Sequence, residues 1–382
     1  MFDFLQPISE EFLQYVKTLP SHTIGQNTSF YTAEAFPDLK RGSVVLFSVN
    51  EYRNSIAEAN VKSNFDAIRK HFYKLAKGDW LLDLIDLGQI NSGAEVNDTY
   101  FAVTRLVQEI HKSDCIPVIV GGSQDITYAN YRAYDPDKGM VNLVSIDACF
   151  DLGNVDLPIT NESYVGKIVV DRPYNLFNYT NLGYQTYYAA PEELDLIERM
   201  FFDLYRLGEI SKDLAMSEPI IRDADIVSVD LNVLEATFYG ENPNGFSGKE
   251  LCALARYSGI SDKVSSFGIY EYKHEKCTKA SNQLVAQLIW YFIEGVNCRW
   301  GEIGELSTMD VTHYHVPVDD QILSFYRSNI TARWWMEITP FATLDNILTS
   351  NTLLPCTYAD YENACNQNIP ERWFNAKMKY EM

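Results

Sequence analysis

The sequence lacks the features that mark a secreted or membrane-spanning protein. Its seven cysteines are scattered along the chain and form no Cys-x-x-Cys pair. This usage is typical of a reducing compartment, where thiols stay free. The longest apolar stretch, near 284–293, is interrupted by Gln287 and is too short to span a bilayer. The N-terminus has no basic segment followed by an apolar one, so we expect no signal peptide, a cytoplasmic location and no membrane insertion.

Positive charge is also scarce. The chain has 31 basic and 52 acidic side chains, for a formal net charge of -21. Such a surface repels phosphate backbones and anionic lipid headgroups, which argues against nucleic-acid and membrane-surface partners. The acidity itself is best explained as a means of solubility.

What the sequence does contain is an alternation of short β-branched runs with longer amphipathic segments. Runs at 44–49, 80–87, 116–120, 141–147, 224–231 and 264–270 are predicted strands. Helices are predicted between them. Asp98 should cap one that runs to residue 112 and buries Phe101 and Val103, and another should cover 191–207. Alternation of this kind predicts a three-layer α/β/α fold with a mostly parallel central sheet.

Composition changes near residue 309, where aromatic and polar residues crowd together. We therefore divide the 382 residues into an N-terminal segment (1–40), an α/β domain (41–309) and an aromatic-rich C-terminal extension (310–382) packed on that domain. Trp334 and Trp335 should pack in the core of the extension, with an oligomer contact as the alternative. His313 and His315 have the spacing of a metal-binding pair but no acidic or cysteine partner nearby, and are expected to be ordinary surface or core groups.

Closely spaced polar residues follow three of the predicted strands, at 121–127, 145–151 and 228–235. Side chains alternate along an extended chain, so Asp147, Cys149 and Asp151 should converge, as should Asp230 and Asn232. Ligands of parallel sheets bind beyond the carboxyl ends of the strands. Carboxylates buried there normally meet a cation, a base or strong donors. The alternative is that they are ordinary strand-end residues capped by backbone N–H groups, which is less plausible for three segments than for one.

These segments resemble the signatures of the ureohydrolase family, which includes arginase, agmatinase and formimidoylglutamase. The family motifs are Gly-Gly-Asp-His-Ser, Asp-Ala-His-x-Asp and Ser-x-Asp-x-Asp. The chain matches their order and spacing with Gly-Gly-Ser-Gln-Asp at 121–125, Asp-Ala-Cys-Phe-Asp at 147–151 and Ser-Val-Asp-Leu-Asn at 228–232. The resemblance covers about 40–300 and implies the arginase-like fold. It also implies that Glu271 binds substrate, and that the protein forms a homo-oligomer or has another protein partner.

The departures from these motifs fall on metal-binding positions. In the family, two histidines and four aspartates hold two manganese ions that activate a bridging hydroxide. The resemblance places Gln124 and Cys149 at the histidine positions and Asn232 at one aspartate position. Asp147, Asp151 and Asp230 keep the family's residue type. We therefore expect no cofactor, or one weakly bound magnesium, calcium or manganese ion, and we do not expect a dinuclear manganese centre.

Three functions remain open on this evidence. The first is a ureohydrolase-fold protein that has lost hydrolysis and acts as a binding or assembly protein. The second is an active hydrolase of a guanidino or formimidoyl compound that uses one metal ion or an atypical pair. In the third, Cys149 is a nucleophile, but this needs a positive partner, and no histidine occupies a signature position.

The ligand changes lead to a first prediction. Because the three aspartates and the spacing around them are kept, Gln124→His, Cys149→His and Asn232→Asp together should restore tight binding of two manganese ions. Turnover should lag behind, since Tyr164 or Val165 stands where arginase-like members place a proton-shuttling histidine. Calorimetric titration with manganese measures the stoichiometry. Unchanged weak binding would mean that the pocket has been remodelled beyond its ligands.

Overall fold

The computed structural model of the protein describes residues 4–56, 61, 63–135, 139–239, 242–302, 310–338 and 352–381. These residues form a 10-stranded sheet and a separate 4-stranded sheet, both flanked by helices. Within the described residues, none of the helices combines the length and the apolar character that a membrane span requires.

The large sheet is built from the first ten strands of the chain. They are β1 (Leu5–Gln6), β2 (Thr28–Phe30), β3 (Val44–Asn50), β4 (Leu84–Asn91), β5 (Ile116–Val120), β6 (Val141–Ile146), β7 (Leu176–Tyr184), β8 (Asp203–Arg206), β9 (Ile226–Asp230) and β10 (Ser266–Tyr270). Their order in the sheet is β1-β4-β3-β5-β10-β9-β6-β7-β8, with β2 also paired to β4. All pairs are parallel except β1 with β4. The predicted mostly parallel sheet is confirmed.

Helices cover both faces of this sheet. They are α1 (Glu10–Lys17), α2 (Asp66–Phe72), α3 (Val96–Lys112), α4 (Ile126–Arg132), α5 (Tyr164–Val170), α6 (Pro191–Arg199), α7 (Leu207–Lys212), α8 (Ser217–Arg222), α9 (Gly248–Ile260) and α10 (Lys279–Asn297). Alternate residues of a strand face opposite layers. In β5, Val118 and Val120 join the core under α9 and α10, whereas Ile119 joins the core under α3 and α4. The predicted three-layer α/β/α fold is confirmed.

Two details of the predicted helices are wrong. Helix α3 starts at Val96, and its cap is Glu95, whose backbone N–H is bound by the Asp98 carboxylate at 2.8 Å. With this start, Phe101 points to solvent and is 65% exposed, while Val103 is buried as expected. The second error is the length of the helix predicted at 191–207. It ends at Arg199 because Phe201 adopts φ +54°, a left-handed conformation that ends a helix, and β8 follows.

The C-terminal extension has its own sheet and its own apolar core. It consists of β11 (Val311–Val318), β12 (Gln321–Ser328), β13 (Trp334–Ile338), β14 (Thr352–Cys356), α11 (Tyr358–Cys365) and α12 (Glu371–Glu381). The four strands are antiparallel and follow chain order. Trp334 is buried there and stacks on Tyr361, with 4.9 Å between ring centroids. The extension also packs on the large domain, because the Arg222 guanidinium lies 4.5 Å from the Trp335 ring and donates to the Trp334 carbonyl at 3.0 Å.

A buried ion pair near the edge of the large sheet yields a stability prediction. Arg69 Nε lies 2.8 Å from Asp86 Oδ2, and both side chains are almost fully shielded from water. Arg69→Met would leave the Asp86 charge buried without its partner, at a cost of about 3–5 kcal/mol in the free energy of unfolding. Urea denaturation measures this cost.

The matched control is Arg105→Met. Arg105 lies 4.0 Å from Glu109 on an exposed helix face, so its loss should cost about 0–1 kcal/mol. Equal losses for the two variants would contradict a special role for the buried pair.

Candidate active site

Four adjacent strands bring the predicted site residues to one edge of the large sheet. The strands β5, β10, β9 and β6 are neighbours in this order and run parallel, so their carboxyl ends point the same way. Gln124 follows β5 and Glu271 follows β10. Asp230 ends β9, and Asp147 follows β6. All four side chains are buried. The crossover connections, which scatter these residues in sequence, therefore assemble them in space.

Asp147, Asp151 and Asp230 form a cluster of acidic groups. The Asp147 and Asp151 carboxyls lie within hydrogen-bonding reach of one another, and the charges of Asp147 and Asp230 act on Asp151. Burial raises the pKa of Asp147 to about 6. Burial and then the neighbouring acids raise the pKa of Asp151 and of Asp230 well above the ordinary value. The cluster thus holds negative charge at a high energetic cost, which a bound cation or protons would relieve.

The Gln124 side chain lies among these acids. Its backbone N–H donates to Glu271 Oε1 at 2.9 Å, and its amide nitrogen donates to Asp147 Oδ2 at 2.7 Å. The same nitrogen lies 3.1 Å from the Tyr164 hydroxyl, which also contacts Ser145. In this arrangement the amide is a hydrogen-bond donor to the cluster. The amide group can bind a metal ion only if it flips, so that its oxygen takes the place of its nitrogen.

Cys149 and Asn232 contact the cluster through their backbones. The Cys149 N–H donates to Asp147 Oδ1 at 3.0 Å, and the Asn232 N–H donates to Asp230 Oδ1 at 2.6 Å. Burial, followed by repulsion from Asp147, raises the pKa of the Cys149 thiol far above its ordinary value. A thiol that keeps its proton is a poor nucleophile. The raised pKa of the thiol therefore gives no support to Cys149 as a nucleophile.

Glu271 is fully buried and lies beside Lys273, a residue outside the three motifs. Lys273 Nζ lies 3.0 Å from Glu271 Oε2, and both side chains are shielded from water. Glu271 adopts φ +60°, and its N–H donates to the Gly122 carbonyl at 2.9 Å. A non-glycine residue in this conformation is held there by its surroundings and is often functional. No sequence signal marks Lys273, because lysine is usually exposed and its burial and pairing are visible only in the fold.

The paired histidines of the extension lie on the surface, in agreement with the prediction. His313 and His315 are exposed on β11, and their ring centroids are 4.0 Å apart. His313 stacks on the Tyr326 ring at 4.2 Å. They take no part in the acidic cluster.

The donor set does not fit two manganese ions. Among the described residues, no three histidine, cysteine, aspartate or glutamate side chains are arranged to hold a metal ion. The positions of Gln124, Cys149 and Asn232 supply neither an imidazole nor a fourth aspartate. Two dications about 4 Å apart need a full anionic ligand set between them. Asp147, Asp151 and Asp230 are the oxygen donors that one cation would use, and they would have to rearrange from the positions they have here to surround it.

The arginase family profile matches residues 55–294, which is more than half of the 382 residues. This chain belongs to the arginase family. The matched region contains every residue of the site just described. The resemblance stated from the motifs is therefore confirmed at the level of the family.

Two curated relatives of this arginase-family chain are formimidoylglutamases. The one from Halobacterium salinarum is 24% identical over 238 residues, covering 55% of this chain and 71% of the relative. The one from Staphylococcus haemolyticus is 24% identical over 246 residues, covering 60% of this chain and 77% of the relative.

Solved structures show the same fold. A formimidoylglutamase from Bacillus subtilis superposes with a TM-score of 0.61 at 18% identity, covering 76% of this chain and 99% of that one. A formiminoglutamase from Trypanosoma cruzi, solved with Mn²⁺, gives a TM-score of 0.61 at 15% identity and covers 68% of this chain and 94% of that one. At these identities the structures establish the fold alone.

The Cys149 environment makes a prediction about thiol reactivity. Cys365 is exposed, whereas the Cys149 thiol is half-buried beside carboxylates that raise its pKa. At pH 8 iodoacetamide should therefore alkylate Cys365 at least about tenfold faster than Cys149, because the thiolate is the reactive form. Mass spectrometry of timed digests measures both rates. Faster labelling of Cys149 would revive the nucleophile hypothesis.

Proposed function

We propose that the chain hydrolyses a C–N bond of a linear amidine, of the formimidoyl or guanidino type, with one bound divalent cation. The observation that carries this proposal is the buried cluster of Asp147, Asp151 and Asp230 beside Glu271, in a chain of the arginase family. The names of the relatives support it, because both curated matches are formimidoylglutamases. This is the hydrolase alternative of the sequence analysis, which the family evidence favours over loss of activity.

The acidic cluster would hold the cation. Asp147, Asp151 and Asp230 supply carboxylate oxygens, and Gln124 would add its carbonyl oxygen after turning its amide. Such an all-oxygen set suits magnesium, calcium or manganese. A bound ion would supply Lewis acidity, lowering the pKa of a water molecule held beside the three carboxylates.

Glu271 would orient the amidine. Its carboxylate is fully buried and anchored by the Gln124 N–H at 2.9 Å, so its position is well defined before substrate arrives.

Burial raises the pKa of the nearby Tyr164 hydroxyl well above its ordinary value, so Tyr164 keeps its proton at neutral pH. It can therefore hold Gln124 and Ser145 in place as a neutral group.

A second candidate is a binding or assembly protein without hydrolysis. The specific observations that favour it are the Gln124 amide, which donates to Asp147, and the Lys273 ammonium, which pairs with Glu271. A cationic amidine would have to compete with Lys273 for the same carboxylate.

As in the sequence analysis, we also propose a cytoplasmic location and a homo-oligomer or another protein partner. The location is supported by the seven unpaired cysteines.

An assay of amide and urea release separates the two candidates. Protein purified without chelators and supplied with Mn²⁺ or Mg²⁺ should release formamide from formimidoylglutamate, or urea from agmatine or arginine. Asp230→Asn removes a carboxylate that would bind the cation directly. Changing a residue that only supports a metal ligand lowers activity by up to about 100-fold, so this variant should lower the rate by at least about 100-fold. Product release is followed by coupled assay or mass spectrometry.

The matched control is Glu162→Gln, which removes an exposed carboxylate near the cluster and should leave the rate near that of the unchanged protein. Absence of product with all three substrates and both metals, from protein that remains folded, would reject the hydrolase and leave the binding protein.

A further inference from the structure

Lys273 places a positive charge in a pocket that is otherwise lined by acidic and neutral side chains. Its ammonium is buried 3.0 Å from Glu271 Oε2, on the side of the sheet where the acidic cluster lies. Asp230 pairs with Tyr270 across β9 and β10, which brings the end of β9 next to the segment that carries Lys273. The positive charge of Lys273 also acts on Asp230 and opposes the upward shift of its pKa.

The backbone around Lys273 is held on both sides. The Tyr239 hydroxyl donates to the Glu271 carbonyl and accepts from the Lys273 N–H at 2.9 Å. The Tyr52 hydroxyl donates to the Tyr272 carbonyl, and Ser63 Oγ donates to the same carbonyl at 2.8 Å. These contacts fix the main chain from Glu271 to Lys273. The ammonium itself is held by its burial and by its ion pair with Glu271.

Charge balance connects Lys273 with the ligand changes. Compared with the family motif, the pocket has an amide at Asn232 where an aspartate is expected, which removes one negative charge. A dication carries two positive charges and a carboxylate one negative charge. Removing one of each therefore lowers the net charge of the pocket by one unit. The Lys273 ammonium restores that unit. A buried charge of this kind needs a partner, and Glu271 provides it at 3.0 Å.

We propose that the Lys273 ammonium takes the place of a second metal ion, as a fixed internal cation that balances Glu271 and Asp230. The inference deepens the proposed function, on which it rests in assuming that the pocket takes up one cation. It also adds a condition to the restoration experiment. Replacing Gln124, Cys149 and Asn232 returns the ligands, but Lys273 still repels the second ion.

Metal binding tests this inference without any measurement of turnover. Mn²⁺ is titrated calorimetrically into the unchanged protein, the triple variant Gln124→His, Cys149→His, Asn232→Asp, and the same variant with Lys273→Met. Methionine keeps the apolar stem of lysine and removes its charge. We expect the unchanged protein to bind at most one ion. The fourfold variant should bind the second ion at least about tenfold more tightly than the triple variant, because a nearby positive charge is gone.

Two controls separate charge from shape. Lys273→Arg in the triple background keeps the charge and should behave as the triple variant does. Lys263→Met removes a lysine paired with Asp223 at 2.9 Å, outside the cluster, and should not change the titration. If Lys273→Met does not fold, Lys273→Gln is titrated instead. Folding of a Lys273 variant that is rescued by Mn²⁺ also supports the inference, because the ion then replaces the missing ammonium charge.

Equal affinity of the triple and fourfold variants for the second ion would overturn the proposal. So would binding of two ions by the unchanged protein with its lysine in place. Failure of the proposed function has a different signature. In that case product release is absent, whatever the number of ions that the variants bind.

Discussion

The structure depends on the free energy of keeping several carboxylates out of water at the ends of adjacent strands. Four neighbouring parallel strands deliver Gln124, Glu271, Asp230 and Asp147 to one buried edge, and Asp151 follows closely after Asp147. Unpaired charges in such a place are strongly disfavoured. Several features of the pocket lower this cost.

The protein uses three devices to do so. Backbone N–H groups of Cys149 and Asn232 donate to Asp147 and Asp230. The Gln124 amide donates to Asp147, where the family motif has an imidazole that binds metal. Lys273 supplies a full positive charge beside Glu271. Burial still raises the pKa values of Asp147, Asp151 and Asp230, so these devices lower the cost of burying the acids without removing it.

Identity to named relatives is low, yet the geometry of the fold has been kept. The relatives share 24% of aligned residues, and the solved structures share 15–18% over most of their length. A parallel sheet tolerates such divergence because many apolar residues fill its two faces equally well. The strand-end positions are under a different constraint. A change at one of them alters the charge balance of the others, because these acids are buried side by side.

Sequence alone determined the class of fold and identified the aspartates that form the acidic cluster. Strand–helix alternation predicted the parallel sheet, and three spaced motifs located the acidic cluster, because both depend on local patterns that are visible in one dimension. Tertiary structure decided the start of α3, the end of the helix at 191–199 and the antiparallel sheet of the extension. It also decided the pairing of Lys273 with Glu271 and the orientation of the Gln124 amide toward Asp147. These features follow from which strands become neighbours in the sheet, and a buried charge has its effect only through the groups that the fold places around it.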